Sequence, residues 1–347
     1  MPIDEGKTMI HEKPVVIESD LLVTFERANE IAYLFASKYK SRFGTDIIKY
    51  IPNYNIEWLQ LTCKKINSEF DYDMRSLGTP RNGNHYVELD SDENKCYLST
   101  HCGSYNFGSK IYLYHQAKNS DHNKMDWNDV NEQMHLLQRK IKVPKLLKQA
   151  KDKLIEEAKS KLHAAYLETE DAYEYFFDMI FAQCYASLNR LTIIKRILTV
   201  IGYDMTFFNS AILIESVHNY IDFEDLIIRK GAIKLHANQI GRVALNMRDG
   251  FVLVQSTSND KIVRGWNYSC CHDCGRDYPR YEAKIIFSMK DYIQSMKGVY
   301  SKSVVAETID ECPDAYRKPN IIMEALEGRA IILGQYKTLL NIKGYGK

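Results

Sequence analysis

The chain has 347 residues, 45% of them hydrophobic, and sets 46 Lys and Arg against 45 Asp and Glu for a formal net charge of +1. That is enough apolar material for one large core or two ordinary ones, and the near-neutral balance excludes a molecule that draws in nucleic acid or membrane by its overall charge, so any polyanion site is local. No apolar run approaches the ~18 residues that span a bilayer, and the charged start "MPIDEGKTMIHEKPVVIESD" does not read as a signal peptide; a cytoplasmic protein with no membrane partner is expected.

In chain order, residues 20–43, "DLLVTFERANEIAYLFASKYKSRF", space apolar residues by three and four behind an Asp able to cap, which predicts an amphipathic helix. A second helix is predicted near 56–69. The runs "HYVELD" (85–90), "KCYLSTH" (95–101) and "KIYLYHQ" (110–116), separated by Gly, Asn and Ser, predict strands and make 75–116 strand-rich. Residues 117–138 are polar and read as an irregular insertion or a short helix. Helical spacing dominates 140–203. Its first part, Arg139–His163, carries nine Lys or Arg against three Asp or Glu, a solvated helix face or, as the sharper alternative, a phosphate-contacting stripe. Its second part, 170–203, is apolar on most sides and reads as buried. Strands and Gly/Asn turns resume at 212 in a strand-rich block that extends to 285, and a mixed tail, 286–347, holds a helix near 288–297. Helices lying between two strand-rich blocks predict the α+β class, with 1–347 as a single interleaved domain containing an inserted helical segment and mixed or antiparallel strands.

The stretch Tyr268–Pro279, "YSCCHDCGRDYP", concentrates three of the eight cysteines around one histidine. Cys271–Cys274 is a C-x-x-C pair, yet structural zinc takes four ligands and no second pair exists to supply them. Buried cysteines flanking a satisfied histidine are the plainer reading. Three further histidines end predicted strands beside Gly, Asn or Ser: His85, His101 and His218. Singly each is a polar strand end; together they offer neutral imidazoles with open space, as a metal requires.

These residues also carry a resemblance. "SLGTPRNGNHYVELD" is similar to the G-T-x-G-x-G-N-H-F-x-E segment of the RtcB family of RNA ligases, and "LSTHCGSYNFG" to its I-H-S-G-S-R-x-L-G segment. "ESVHNYIDFEDLIIRKGAI" resembles the family's H-N-Y…R-K-G-A stretch, "VALNMRDGFVLV" its P-x-N-M-R-D-G variant, and "WNYSCCHDCGRDYPR" its W-N-x-S-x-x-H-G-A-G-R-x-x-S-R motif. The resemblance implies an enzyme that joins RNA 3′-phosphate or 2′,3′-cyclic phosphate ends to 5′-hydroxyl ends through a guanylated histidine, using GTP and manganese (Mn2+) or another divalent ion. It implies that His272 accepts the guanylate and that His85, His101 and His218 bind metal. Asn84, Glu88, Asn219, Ala244, Leu245, Asn246, Met247, Asp273, Cys274, Gly275 and Lys343 match positions that hold the guanylate. Glu88 and Lys343 would read the guanine edge, a carboxylate accepting from N–H groups and an ammonium donating. Arg276 and Arg280 match phosphate- or RNA-binding positions, with structural salt bridges as the alternative. Metal held by such imidazoles is expected to fade through the ordinary histidine range near ~6.5.

The match has departures. These 347 residues contain no D-x-G-C-G-M segment, the source of the family's metal-binding Asp and bridging Cys, and "PIDEGKTMIHEKP" resembles the stretch that follows it. The expectation is a chain N-terminally truncated relative to the family, with a separately encoded N-terminal module as a candidate partner in a split ligase. A non-catalytic protein binding RNA ends or guanine nucleotide is the alternative. Tyr105 replaces an Arg, and Asp273–Cys274 replace Gly-Ala, setting an acidic group beside the nucleophile.

Overall fold

The structure, a computed structural model, describes residues 18–80, 85–122, 127–141, 143–163, 167 and 169–344. Asn84 and the "PIDEGKTMIHEKP" stretch lie outside them. The described elements are α1 (Glu18–Phe43), α2 (Ile56–Lys65), α3 (Phe70–Ser76), β1 (Tyr86–Ser91), β2 (Cys96–His101), α4 (Tyr105–His122), α5 (Trp127–Lys140), α6 (Pro144–His163), α7 (Thr169–Val200) and α8 (Met205–Ser210), then β3 (Asn219–Asp222), β4 (Ile227–Lys230), β5 (Ala232–Lys234), β6 (Ile240–Ala244), β7 (Phe251–Ser256), α9 (Asp260–Gly265), β8 (Ser269–Cys271), α10 (Arg280–Ile286), α11 (Met289–Ser295), α12 (Pro319–Leu326) and β9 (Ala330–Lys343). The class is α+β. Among the described residues no helix is long and apolar enough to cross a membrane. The chain divides into two compact units, each assembled from separate chain segments.

One unit, Phe25–Asp73 with Tyr105–Ala182, is helical. Its centre is aromatic: Phe35 packs edge-on to Phe177 at 6.2 Å, and Tyr54 stacks on Phe181 at 5.7 Å while donating its hydroxyl to the Phe177 carbonyl at 2.7 Å. The buried carboxylate of Asp178 is matched by Lys65 and His115, both at 2.8 Å, as a buried charge requires. The strand expected at 110–116 is instead part of α4. Phe107, Ile111 and His115 are all buried at a spacing of four, so one face of a helix accounts for the apolar residues that composition alone assigned to a strand. Of residues 117–138, 117–122 form the end of α4 and 127–138 most of α5. On α6, Lys148 and Lys153 are exposed and Lys153 pairs with Glu157 one turn on at 3.7 Å, the solvated-face arrangement.

The other unit, Met1–Thr24, Met74–Ser104 and Gln183–Lys347, holds the sheet. Five antiparallel strands run in the order β2-β1-β9-β7-β6. The tail foreseen at 286–347 therefore contains a central strand: the first half of β9 pairs with β7 and its second half with β1. Its sequence hides this, because Ile331, Ile332 and Leu333 are consecutive and all exposed, so no period-2 pattern announces the strand. Gly250, at the turn before β7, has φ +71, and a Cβ there would lie 2.0 Å from the Tyr336 carbonyl oxygen; only glycine permits the turn to meet β9 so closely. Two short ladders, β3 with β4 and β5 with β8, complete the unit, over a core of Ile233, Leu235, Val243, Val252, Val254 and Ile322.

Candidate active site

Register brings distant histidines to one place. His85 directly precedes β1, and His101 ends β2 opposite Tyr86. The ladders β3–β4 and β5–β8 meet at Gly231, which brings His218, just before β3, to His272, just after β8. The rings form a row: His85 to His101 at 6.0 Å between centroids, His101 to His218 at 5.0 Å, and His218 stacked on His272 at 4.4 Å. The loops that carry the row are tied to α7. Fully buried Asn189 accepts from Gly78 N at 2.7 Å and donates to Gly103 O at 3.1 Å, while Arg190 donates to Cys102 O at 3.1 Å.

His101 Nε2 and His218 Nε2 face each other at 3.2 Å. Burial, reinforced by neighbouring positive groups, pushes His101 down to about 3 and His218 to about 4, so both rings are neutral across the physiological range. Two nitrogens bound to one ion through ~2.1 Å ligand bonds at tetrahedral angles lie ~3.4 Å apart, so this neutral pair fits a divalent cation; without one, the same distance suits an N–H···N hydrogen bond. Among the described residues no three His, Cys, Asp or Glu side chains are arranged to hold one ion, so the expected triple takes the form of a pair, with His85 one ring further along the row.

His272 Nδ1 lies 2.8 Å from the Gly231 carbonyl, which fixes that nitrogen as the N–H donor, and Nε2 lies 3.1 Å from Asp273 Oδ2. Burial works against charge on the ring, but the hydrogen bond and charge of Asp273 outweigh it and raise His272 above the usual imidazole range. Asp273 is anchored in turn, its Oδ1 accepting from Gly275 N at 2.9 Å. The two members of the C-x-x-C pair differ: burial pushes Cys274 up to about 12 and its thiol donates to the Leu245 carbonyl at 3.0 Å, whereas the hydrogen bond from Cys270 lowers Cys271. Cys270 and Cys274 belong to the apolar core.

The residues matched to guanylate positions divide. The Ala244–Met247 turn docks on the backbone of His272, with Ala244 N donating to His272 O at 3.0 Å. Asn246 is spent on its own turn, accepting from Arg248 N and Asp249 N at 3.0 Å each. Leu245 and Met247 are buried, so their side chains are not available to a ligand. Asn219 accepts from Gly231 N at 3.0 Å and braces the same junction. Glu88, 2% exposed, is paired with Arg242 at 3.0 Å. Lys343 Nζ is engaged by Glu311. Arg280 salt-bridges Asp310 at 2.5 Å and also Glu311; Arg276 donates to Tyr316 OH at 3.0 Å and lies 3.6 Å from Glu311. Both arginines thus sit in the structural ion pairs that were their alternative reading.

Three residues that position this site were not foreseen. Asn189 could have been flagged as a polar residue within an apolar helix. Arg242 and Glu311 gave no signal, because one reads as an outward strand residue and the other as loop, and only tertiary structure sets them against Glu88 and Lys343.

The chain matches the family described as tRNA-splicing ligase RtcB over residues 41–344. It is 25% identical over 302 residues to the RNA-splicing ligase RtcB of Escherichia coli, covering 83% of this chain and 65% of that protein, and equally similar to the RNA-splicing ligase RtcB1 of a second Escherichia coli strain. It thus spans about two-thirds of the length of the curated relatives it matches. With the family match extending from α1 to β9 and taking in all four histidines of the row, the chain belongs to the RtcB family.

Proposed function

We propose that this protein is an RNA ligase that joins 3′-phosphate or 2′,3′-cyclic phosphate ends to 5′-hydroxyl ends, with GTP as cosubstrate and His272 as the guanylated residue. The observation that carries the reading is the row of imidazoles, in which a nucleophile with Nδ1 tied to the Gly231 carbonyl is stacked on one of two neutral rings whose nitrogens converge. His272 Nε2 attacks the α-phosphorus of GTP; the new N–P bond replaces the bond to the β-phosphate oxygen, and pyrophosphate leaves. Before it attacks, Nε2 must release to solvent the proton that Asp273 Oδ2, its 3.1 Å neighbour, stabilises there. The guanylate then passes to the RNA 3′-phosphate, a cyclic end being first opened by water, and the 5′-hydroxyl displaces GMP. A divalent ion such as Mn2+, held by His101 and His218 with His85 as a further candidate, would neutralise the phosphoryl charge. The Ala244–Met247 backbone and Asp273–Gly275 flank the nucleophile and bound the space for the nucleotide.

The test is incubation with Mn2+ and α-labelled GTP, alone and with any separately encoded D-x-G-C-G-M module. An acid-labile, base-stable label that is absent from His272→Ala is expected, since protonating a phosphoramidate nitrogen makes it a leaving group. No label under either condition favours the second reading, a non-catalytic protein that binds RNA ends. That reading draws on the internal pairing of Glu88, Lys343, Arg276 and Arg280.

A further inference from the structure

The carboxylate matched to guanine reading already has an occupant. Glu88 Oε1 accepts from Asn341 Nδ2 at 2.8 Å and Thr338 Oγ1 at 3.3 Å, and Oε2 accepts from Arg242 Nη2 at 3.0 Å. The same guanidinium donates through Nη1 to Tyr86 OH at 3.1 Å and lies 4.4 Å from the centre of the Phe251 ring. A guanidinium offers a carboxylate what the edge of guanine offers it, coplanar N–H donors on a shared carbon. We propose that Arg242 is a specificity-determining residue that occupies the guanine-reading face of Glu88, so that a guanine base is read only after displacing this guanidinium.

Three observations support displacement. Asp90, fully buried, lies 3.8 Å from Arg242 Nη2 and offers a further oxygen acceptor to the side chain when it leaves Glu88. Arg242 Nε and Asn341 Oδ1 are buried without hydrogen-bond partners among the described residues, so the network is not closed there, and Asn341 Oδ1 is a spare acceptor beside Glu88 for an exocyclic amine. Arg242 also stands two residues before Ala244, whose N–H donates to His272 O, which links its position to the turn that docks on the nucleophile.

The inference rests on Glu88 reading the base, and the experiment separates the two claims. GTP and ATP are titrated calorimetrically into the full chain, wild type and the variants Arg242→Leu, Arg242→Lys, Glu88→Gln and the Arg242→Leu/Glu88→Gln double. Arg242→Leu is expected to bind GTP about 10-fold more tightly, the order of one base-edge contact, with ATP unchanged and the gain abolished in the double variant. Arg242→Lys should gain less than Arg242→Leu, because an ammonium can still pair with Glu88, though it cannot reach Tyr86 OH at the same time, as the guanidinium does. If Arg242→Leu does not fold, Arg242→Lys against wild type decides by the same criterion. A folded variant that gains nothing, or gains equally for ATP, overturns the proposal. If Glu88→Gln alone abolishes a GTP preference, that result leaves Glu88 as the base reader. No GTP preference in any variant removes both claims.

Discussion

At the scale of single residues, the deciding physical fact is the state of the imidazoles. A solvent-exposed histidine would lose a metal to protons near ~6.5, which was the expectation for His85, His101 and His218. Burial lowers His101 to about 3 and His218 to about 4, so protons compete only in strong acid. Calorimetric titration of Mn2+ should therefore give the same affinity at pH 7 and pH 5.5 and a decline only on approaching pH 4, and His101→Ala should weaken binding at least ~10-fold. Affinity that falls with a midpoint near 6.5 would instead put the ion on solvated histidines elsewhere. His272 shows the opposite environment: Asp273 holds a proton on its ring that burial denies to His101 and His218.

At the scale of elements, the helices at 20–43, 56–69 and 170–203 were legible because their 3.6-residue period persists over several turns. Strands β1 and β2 were legible because they are short, apolar and bounded by turn residues. The run 110–116 misled because Ile, Tyr and Leu suit a strand by type, and only the four-residue spacing of Phe107, Ile111 and His115 betrays α4. Strand β9 was missed because its apolar residues do not alternate. The histidine row was visible only as a set of motifs, whereas the occupants of Glu88 and Lys343 come from β6 and from the segment before α12, which no local pattern links. The Gly250 turn offers a test of how these elements are joined. Gly250→Ala must accept a left-handed φ and a 2.0 Å approach to the Tyr336 carbonyl, and should lower stability by roughly 3 kcal/mol or prevent folding. Gly202→Ala, also left-handed but with nothing among the described residues within 4 Å of the added Cβ, should cost only about 1 kcal/mol. Equal thermal shifts for the two would show that the turn tolerates a side chain.

At the scale of the whole molecule, stability in acid should be governed in part by one buried carboxylate. Burial opposes ionisation of Glu311, but Lys343 and Arg280 outweigh it and hold the group at about 2, against 4.5 for the unperturbed acid. A depressed carboxylate contributes its stability in full above the unfolded value and loses it as pH falls towards the folded one. The difference corresponds to roughly 3 kcal/mol, lost between about pH 4.5 and pH 2. Urea midpoints of wild type should fall across that window more steeply than those of Glu311→Gln, which at pH 7 is already weakened by an unpaired Lys343. Parallel pH profiles would mean that Glu311 titrates alike in the folded and unfolded states.

The shared strand β9 also bears on how the protein is made. Thr338, which donates to Glu88, follows it by 250 residues, and at a synthesis rate of ~5–20 residues per second the ribosome needs roughly 12–50 s to cover that distance. For that interval one edge of β1 has no strand to pair with, an exposed template for association with other nascent chains. The histidine row cannot take its final form on the ribosome until nearly all of these residues have emerged.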